Sequence, residues 1–423
     1  MVLSACDRSG GSGEMTADTV HVAMPTGDRE TDRALIIAAL EEAPSGGAVQ
    51  FGPGTYIIGS STLSLINVTV PGITLLGHPQ GTILRGCDPD GFEPDNYELG
   101  NCMGLELTGG HQSVRNITFE YFWYALTVGG LGYRCTAPDE CAPDGTESLI
   151  GGYRVEGNTF RHVIGMGVRG NWSEPAVIRR NTFLNVFHAV SVIGGIAHVL
   201  ENEIEAVDPG QVPFFGHPGG AISIVAVAEL LVPRCDSNVI AGNRIVGHPE
   251  SINVRLTESS EPESCIENVV RDNTIVNSRI PENPAFPYAS GAILLINETP
   301  REELIQGWAI ESNRIIDSEG VGIALFHASR NRIVGNTISG LGLQDPSSLN
   351  ERVPQAVANG SGIWLSAGSD YNDISGNIFK GIAAHAVVLE GSGNTVAFDS
   401  AGDNVRDLGS GNRVTMMART RER

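Results

Sequence analysis

Gly322-Ile323-Ala324-Leu325, Arg332-Ile333-Val334 and Gly335-Asn336-Thr337-Ile338 are three short apolar runs within one stretch of this chain. Each alternates apolar with small or polar residues, the pattern of a strand with one buried face. No segment between them has the 3.6-residue period of a helix, which excludes strand–helix–strand and leucine-rich units. The motif of an Asn followed by a short apolar doublet recurs through the chain. It is found at Asn116, Asn158, Asn181, Asn202, Asn243, Asn273, Asn313, Asn336 and Asn377. The shortest spacings (Asn158 to Asn181, Asn181 to Asn202, Asn313 to Asn336) are 23, 21 and 23 residues, room for three short strands and three turns. So small a unit cannot bury its apolar side alone, so successive units must stack into a solenoid. The recurring Asn is expected to be structural, because its amide can both donate to and accept from the equivalent Asn one coil away.

These repeats resemble the right-handed parallel β-helix proteins of the pectate-lyase-like superfamily, over roughly Asp28 to Asn412. The resemblance implies an all-β fold: a right-handed parallel β-helix solenoid of about a dozen three-strand coils, one domain over 20–413. The start fits as well. An amphipathic helix is predicted near Thr31 to Ala43, with Leu35, Ile36, Ala39 and Leu40 on one side. Gly46-Gly47-Ala48-Val49-Gln50-Phe51 and Pro53-Gly54-Thr55-Tyr56-Ile57-Ile58 follow it. In the family such a helix plugs the open end of the stack and covers an aggregation-prone edge. The tail from Val414 to Arg423 is expected to fray.

The formal charge of -22 argues against a nucleic-acid partner, and no apolar run is long enough for a spanning helix. Leu3-Ser4-Ala5-Cys6 matches the lipobox that ends a bacterial lipoprotein signal peptide, and Asp7 to Gly13 reads as a flexible tether within residues 1–19. Cys6 is therefore the expected lipidation site. Any membrane association would run through that anchor, with a monomer in the periplasm or on the cell surface. Only five residues precede Cys6, so the apolar part of a signal peptide is missing from this sequence. The six other Cys fall in pairs close in sequence: Cys87 with Cys102, Cys135 with Cys141, and Cys235 with Cys265. Disulfides at these pairs would restrain the loops they bracket, and disulfides suit an exported protein.

Long insertions interrupt the repeat between Leu131 and Gly151, Val207 and Gly219, Glu229 and Asn238, Thr257 and Asn268, Ile280 and Ser290, and Gly340 and Asn359. Loops of this length in a compact repeat are usually functional. In the resembling enzymes they wall a groove above one sheet where a polysaccharide lies. Aligning the strands of that sheet by their apolar pairs places Leu126/Val128, Met166/Val168, Val190/Val192 and their counterparts inward. Ser191, Ser223, Asn253 and Trp364 then point outward as candidate substrate contacts, with His217 in an adjoining loop. Arg169 and Arg255 fall one outward position later, three coils apart, roughly 14 Å. Arginine can pair bidentately with a uronate or sulfate and can neutralise a carboxylate during β-elimination, which makes Arg169 and Arg255 candidate catalytic residues; an acidic loop residue such as Glu174 or Glu258 is the plainer partner.

His188 and Glu250 stand at the edge of the groove as candidate acid–base groups beside His162 and His248. Edge carboxylates for a hydrolase include Glu174, Asp208, Glu298, Asp317 and Glu319. The run Glu201, Glu203, Glu205 and Asp208 is a candidate calcium site, with a solvated acidic face as the alternative. Several family signatures are absent: the paired Asp of polygalacturonases, the pectin-methylesterase motif, and the Asp-Pro-His-Glu of alginate epimerases. The only Lys is Lys380, so the mid-chain Lys base of alginate lyases is missing too. The resemblance thus implies a polysaccharide partner and a polysaccharide lyase or glycoside hydrolase. The alternative is a non-catalytic envelope lipoprotein that binds glycan or a protein partner.

Overall fold

Isoleucines in register from coil to coil make the interior. Ile245 pairs with Ile275, Ile275 with Ile315, and Ile315 with Ile338, all fully buried. Nearer the start, the rings of Phe119, Phe160 and Phe183 stack at 4.9 and 4.8 Å between centroids. Such like-on-like columns follow from parallel pairing in register, which puts the same position of each coil above the last. The computed structural model describes residues 18–59, 65–87, 102–129, 133–137, 140–143, 151–206, 220–226, 235–248, 250–256, 265–278, 291–299, 304–342, 360–398 and 404–416. Cys6, the tether, most of each long insertion and residues 417–423 lie outside that set.

The chain winds as a right-handed parallel β-helix. One sheet has fourteen strands, from Thr19–His21 to Arg413–Met416, every pairing parallel. A second sheet carries the strands that follow the Asn, such as Arg244–Val246, Thr274–Val276 and Arg314–Ile316. A third stacks Ile222–Ala226, Ile252–Leu256, Gly291–Asn297, Val321–Phe326, Ile363–Leu365 and Val387–Leu389. In the coils of Thr159–Gly170 and Thr182–Ile193 one continuous strand serves both the second and third sheets. The first sheet runs past the expected end of the domain, since Arg413–Met416 pairs with Thr395–Phe398.

The Asn ladder is present and buried. In Asn158, Asn181, Asn202, Asn243, Asn273, Asn313 and Asn336, the backbone N–H and side-chain Nδ2 both donate to Oδ1 of the next Asn, at 2.9–3.1 Å. Asn116 is not a rung, which corrects the sequence reading. The ladder position in that coil is Ile117, whose N–H donates to Asn158 Oδ1, while Asn116 takes a left-handed turn at φ 55°. A second ladder was not anticipated. Asn331 N–H donates to Asn372 Oδ1, Asn372 to Asn394 and Asn394 to Asn412, with Asn238 to Asn268 an earlier segment. Its members carry the same Asn-x-apolar motif, so one sequence signal marks two different turns of the coil.

The helix runs Arg29–Glu42, starting earlier than predicted because Asp28 caps it by accepting from Thr31 N–H at 2.9 Å. Asp32, fully buried, ties the cap to the stack: Oδ1 accepts from Thr26 N–H and Oγ1 at 2.7 and 2.8 Å, and Oδ2 from Ile57 N–H at 2.9 Å. Asp32→Ala leaves these donors unmet and is expected to lower unfolding free energy by about 3 kcal/mol. A urea midpoint equal to the wild type's would show that the clamp contributes nothing.

Cys87–Cys102 and Cys235–Cys265 are disulfide-bonded. Cys135 and Cys141 are register partners across the antiparallel strands Tyr133–Ala137 and Glu140–Pro143.

Candidate functional site

Thr127, Arg169, Ser191, Ser223 and Asn253 form one outward row on five successive coils of the third sheet. The row continues through Leu294, Ala324, Trp364 and Val388. Its character therefore changes from polar to apolar along the rod. Two corrections to the sequence reading follow. Arg169 shares the row of Ser191 and Asn253, whereas Arg255 lies one outward position later, beside Val225 and Ile296. The inward pair of that coil is Val168 and Gly170, not Met166 and Val168; Met166 pairs with His188 at the corner. A glycine fills an inward place because the backbone of the adjacent coil comes too close for a side chain: a Gly170 Cβ would stand 1.8 Å from Val128 O, with the Trp172 ring next at 3.0 Å. Trp364 packs with Leu294 and Val388 and donates from Nε1 to Glu390 at 3.2 Å; it is buried, as are Thr127, Ser191, Ser223 and Asn253 of the same row.

His188, Gly220 and Glu250 occupy equivalent places at the start of three successive third-sheet strands, two residues before Val190, Ile222 and Ile252. His188 Nδ1 lies 3.2 Å from the Gly220 carbonyl oxygen. A carbonyl only accepts, so the ring donates from Nδ1 in this contact. Gly220 is required by close approach: a Cβ there would meet Glu250 O at 2.6 Å and Asn253 Cβ at 2.9 Å. Glu250 is 5 % exposed and accepts from Asn253 Nδ2 at 3.0 Å. Burial pushes its carboxyl up to about 7, against the opposing pull of the Asn253 hydrogen bond and the Arg255 charge. Arg255 Nη2 donates to both oxygens of Glu298 on the next coil, at 2.8 and 2.9 Å. Glu298 is thus an acidic partner of Arg255, while Glu258 lies outside the described residues.

The raised carboxyl makes stability depend on pH. The folded pKa of about 7 exceeds the ordinary 4.5, so the folded state binds the extra proton between these values. Stability is then highest below about pH 4.5 and falls as pH rises to 7, by about 3 kcal/mol in total. Comparing urea unfolding of wild type and Glu250→Gln across this range should show a slope only in the wild type's excess; parallel curves would contradict it.

Other expected residues are placed elsewhere. His248 is buried with Nε2 3.1 Å from Val186 O. His162 stacks on Tyr121 at 5.1 Å, and burial lowers its pKa. His217 and Asp208 lie outside the described residues. Glu201 is paired with Arg179 and Arg180, and Glu203 with Arg244. Among the described residues no three His, Cys, Asp or Glu side chains converge to hold a metal ion. Sequence reasoning missed two residues beside Arg169. The guanidinium lies over the Tyr124 ring, 4.7 Å from its centroid, and Asn171 follows directly after the strand. It also missed Glu120, buried between Arg85 and Arg161 on the second sheet.

A family model described as a right-handed β-helix region matches residues 305–407. No curated protein sequence matches this chain. Among solved structures, a double mutant of the tailspike protein of Escherichia coli bacteriophage HK620 is similar, with a TM-score of 0.59 at 11% identity over 96% of this chain and 77% of that one. The same tailspike in complex with a pentasaccharide gives 0.52 at 11% identity, over 94% and 81%. A GH87 α-1,3-glucanase catalytic unit from Streptomyces thermodiastaticus gives 0.45 at 14%, over 96% and 70%. At these identities the likeness concerns the fold.

Proposed function

We propose that this chain is a carbohydrate-active enzyme that hydrolyses a polysaccharide lying along the outward row of the third sheet. The observation that carries the reading is Glu250, a buried carboxyl that stays protonated to about pH 7 beside the polar row. A carboxyl so tuned suits a general acid at neutral pH. Its O–H would donate to the glycosidic oxygen as the bond to the anomeric carbon breaks. His188, two coils away at roughly 10 Å between backbones, would take a proton from the attacking water. That separation leaves room for the water, as in inverting hydrolases. Asn253 positions Glu250. Arg255, held by Glu298, tunes its charge and is not free to neutralise a uronate, which counts against a lyase.

The sequence-based resemblance and the pentasaccharide-bound tailspike support a glycan on this fold. Export belongs to the same proposal: the two disulfides suit an oxidising compartment. Cys6 would carry the lipid, which the mass of the mature chain would report.

The test mixes the protein with uronate, sulfated and neutral polysaccharides, with and without calcium, following reducing ends and the ultraviolet signal of unsaturated uronate. Reducing ends alone support the proposal. An unsaturated product would replace it with a lyase. Silence across the panel would turn the reading to a glycan- or protein-binding envelope protein.

A further inference from the structure

On the outward face of the third sheet, the buried polar atoms lacking partners include Asn253 Oδ1 and a larger group near Arg169. Thr127 Oγ1, Arg169 Nε, and Nδ2 and Oδ1 of Asn171 have no hydrogen-bond partner among the described residues, and Thr127 and Asn171 are 0 % and 1 % exposed. Thr127 and Arg169 are register partners on adjacent strands. Asn171 comes two residues after Arg169, the spacing that returns a side chain to the same face of a strand. An unmet buried donor or acceptor costs about 1–3 kcal/mol, so several in one place are better explained by a ligand than by chance.

Charge sharpens the ligand class. Arg255 is paired with Glu298, Arg85 and Arg161 with Glu120, and Arg332 with Glu311. Acids outnumber bases 49 to 27 in this chain. Arg169 nonetheless has no carboxylate partner among the described residues and is backed instead by the Tyr124 ring. The ring supports the cation without neutralising it. Glu106 takes the same row two coils earlier, so the attraction for an anion is local to Arg169.

We propose that Thr127, Arg169 and Asn171 form a subsite for an anionic sugar ring, its carboxylate or sulfate on the guanidinium and its hydroxyls on Thr127 and Asn171. This subsite lies three coils from Asn253, roughly 14 Å along the rod, so it reads a sugar away from the bond that Glu250 would act on. The proposal rests on the third sheet being the glycan-bearing face, and it names the substrate class as an acidic polysaccharide.

Calorimetric titration tests it with three probes: an oligogalacturonate hexamer, the same hexamer with its carboxyls reduced, and a heparin-derived hexasaccharide. The wild type is expected to bind at least one acidic hexamer about ten-fold more tightly than the reduced one. Which acidic hexamer wins identifies carboxylate or sulfate. Arg169→Gln is expected to remove that preference by weakening the acidic hexamer about ten-fold, leaving the reduced one unchanged. Thr127→Val should weaken both hexamers several-fold, and it reads the subsite if Arg169→Gln does not fold. Equal binding of acidic and neutral hexamers would overturn the subsite while leaving a glycan-bearing sheet intact. A preference that survives Arg169→Gln, or Thr127→Val binding like wild type, would overturn it too. No binding of any hexamer would overturn both readings together.

Discussion

Asn243→Leu is expected to lower the unfolding free energy by about 4 kcal/mol, more than an ordinary core substitution of similar volume. The Asn243 side chain joins three levels of the stack. Oδ1 accepts from Asn202 N–H at 3.0 Å and from Asn202 Nδ2 at 2.9 Å, while Nδ2 donates to Val199 O at 2.9 Å and Asn273 Oδ1 at 3.0 Å. Leucine fills similar space and meets none of these groups, so donors and acceptors above and below it are left unpaired in a dry interior. Because each coil touches only its neighbours, the loss should also divide the transition, with one end of the rod melting before the other. Asn116→Gly is the control. It sits off the ladder at φ 55°, a conformation glycine accepts readily, and should change stability by no more than about 0.5 kcal/mol. Equal midpoints for the two variants in urea would refute a ladder role in stability.

Glu250→Gln is expected to reduce turnover on the responding polysaccharide about 10²–10⁴-fold, with little loss of affinity. The amide keeps the shape of the carboxyl but has no acidic proton to give to a leaving oxygen. In the wild type, activity should fall as pH rises through about 7, where Glu250 loses its proton. The variant's residual rate should lack this limb. Retention of more than a tenth of the wild-type rate would remove Glu250 from the acid role. Gly220→Ala offers a geometric companion, since its methyl must displace the Glu250 backbone or Asn253.

Much of the architecture was legible because it is periodic. A ladder Asn writes its position into the chain every 21 to 23 residues wherever no loop intervenes, and parallel stacking makes each repeat predict the next. The same logic found the outward row at Ser191, Ser223 and Asn253, where the strands are regular. It failed at Asn116, where the Asn-apolar motif lies one residue out of phase with the rung at Ile117. It also failed at Arg169, because the strand of Thr159–Gly170 shifts register between Val163 and Met166 and an inward place is taken by Gly170. Apolar alternation cannot show an inward position that the backbone of the adjacent coil leaves open only to glycine.

The coil, the parallel stack, the capping helix and the outward residues on most of the third sheet can be read from the chain alone. These follow from local alternation and from the inability of one coil to bury itself. That Arg255 is held by Glu298, that Trp364 is covered, that Glu250 is buried beside Asn253, and that Arg169 stands over Tyr124 without a carboxylate among the described residues all come from the folded arrangement. Partners in those pairs lie tens of residues apart in the chain or take their environment from another coil. Charge state and exposure are set by what surrounds a side chain in space, and a one-dimensional period carries no record of that.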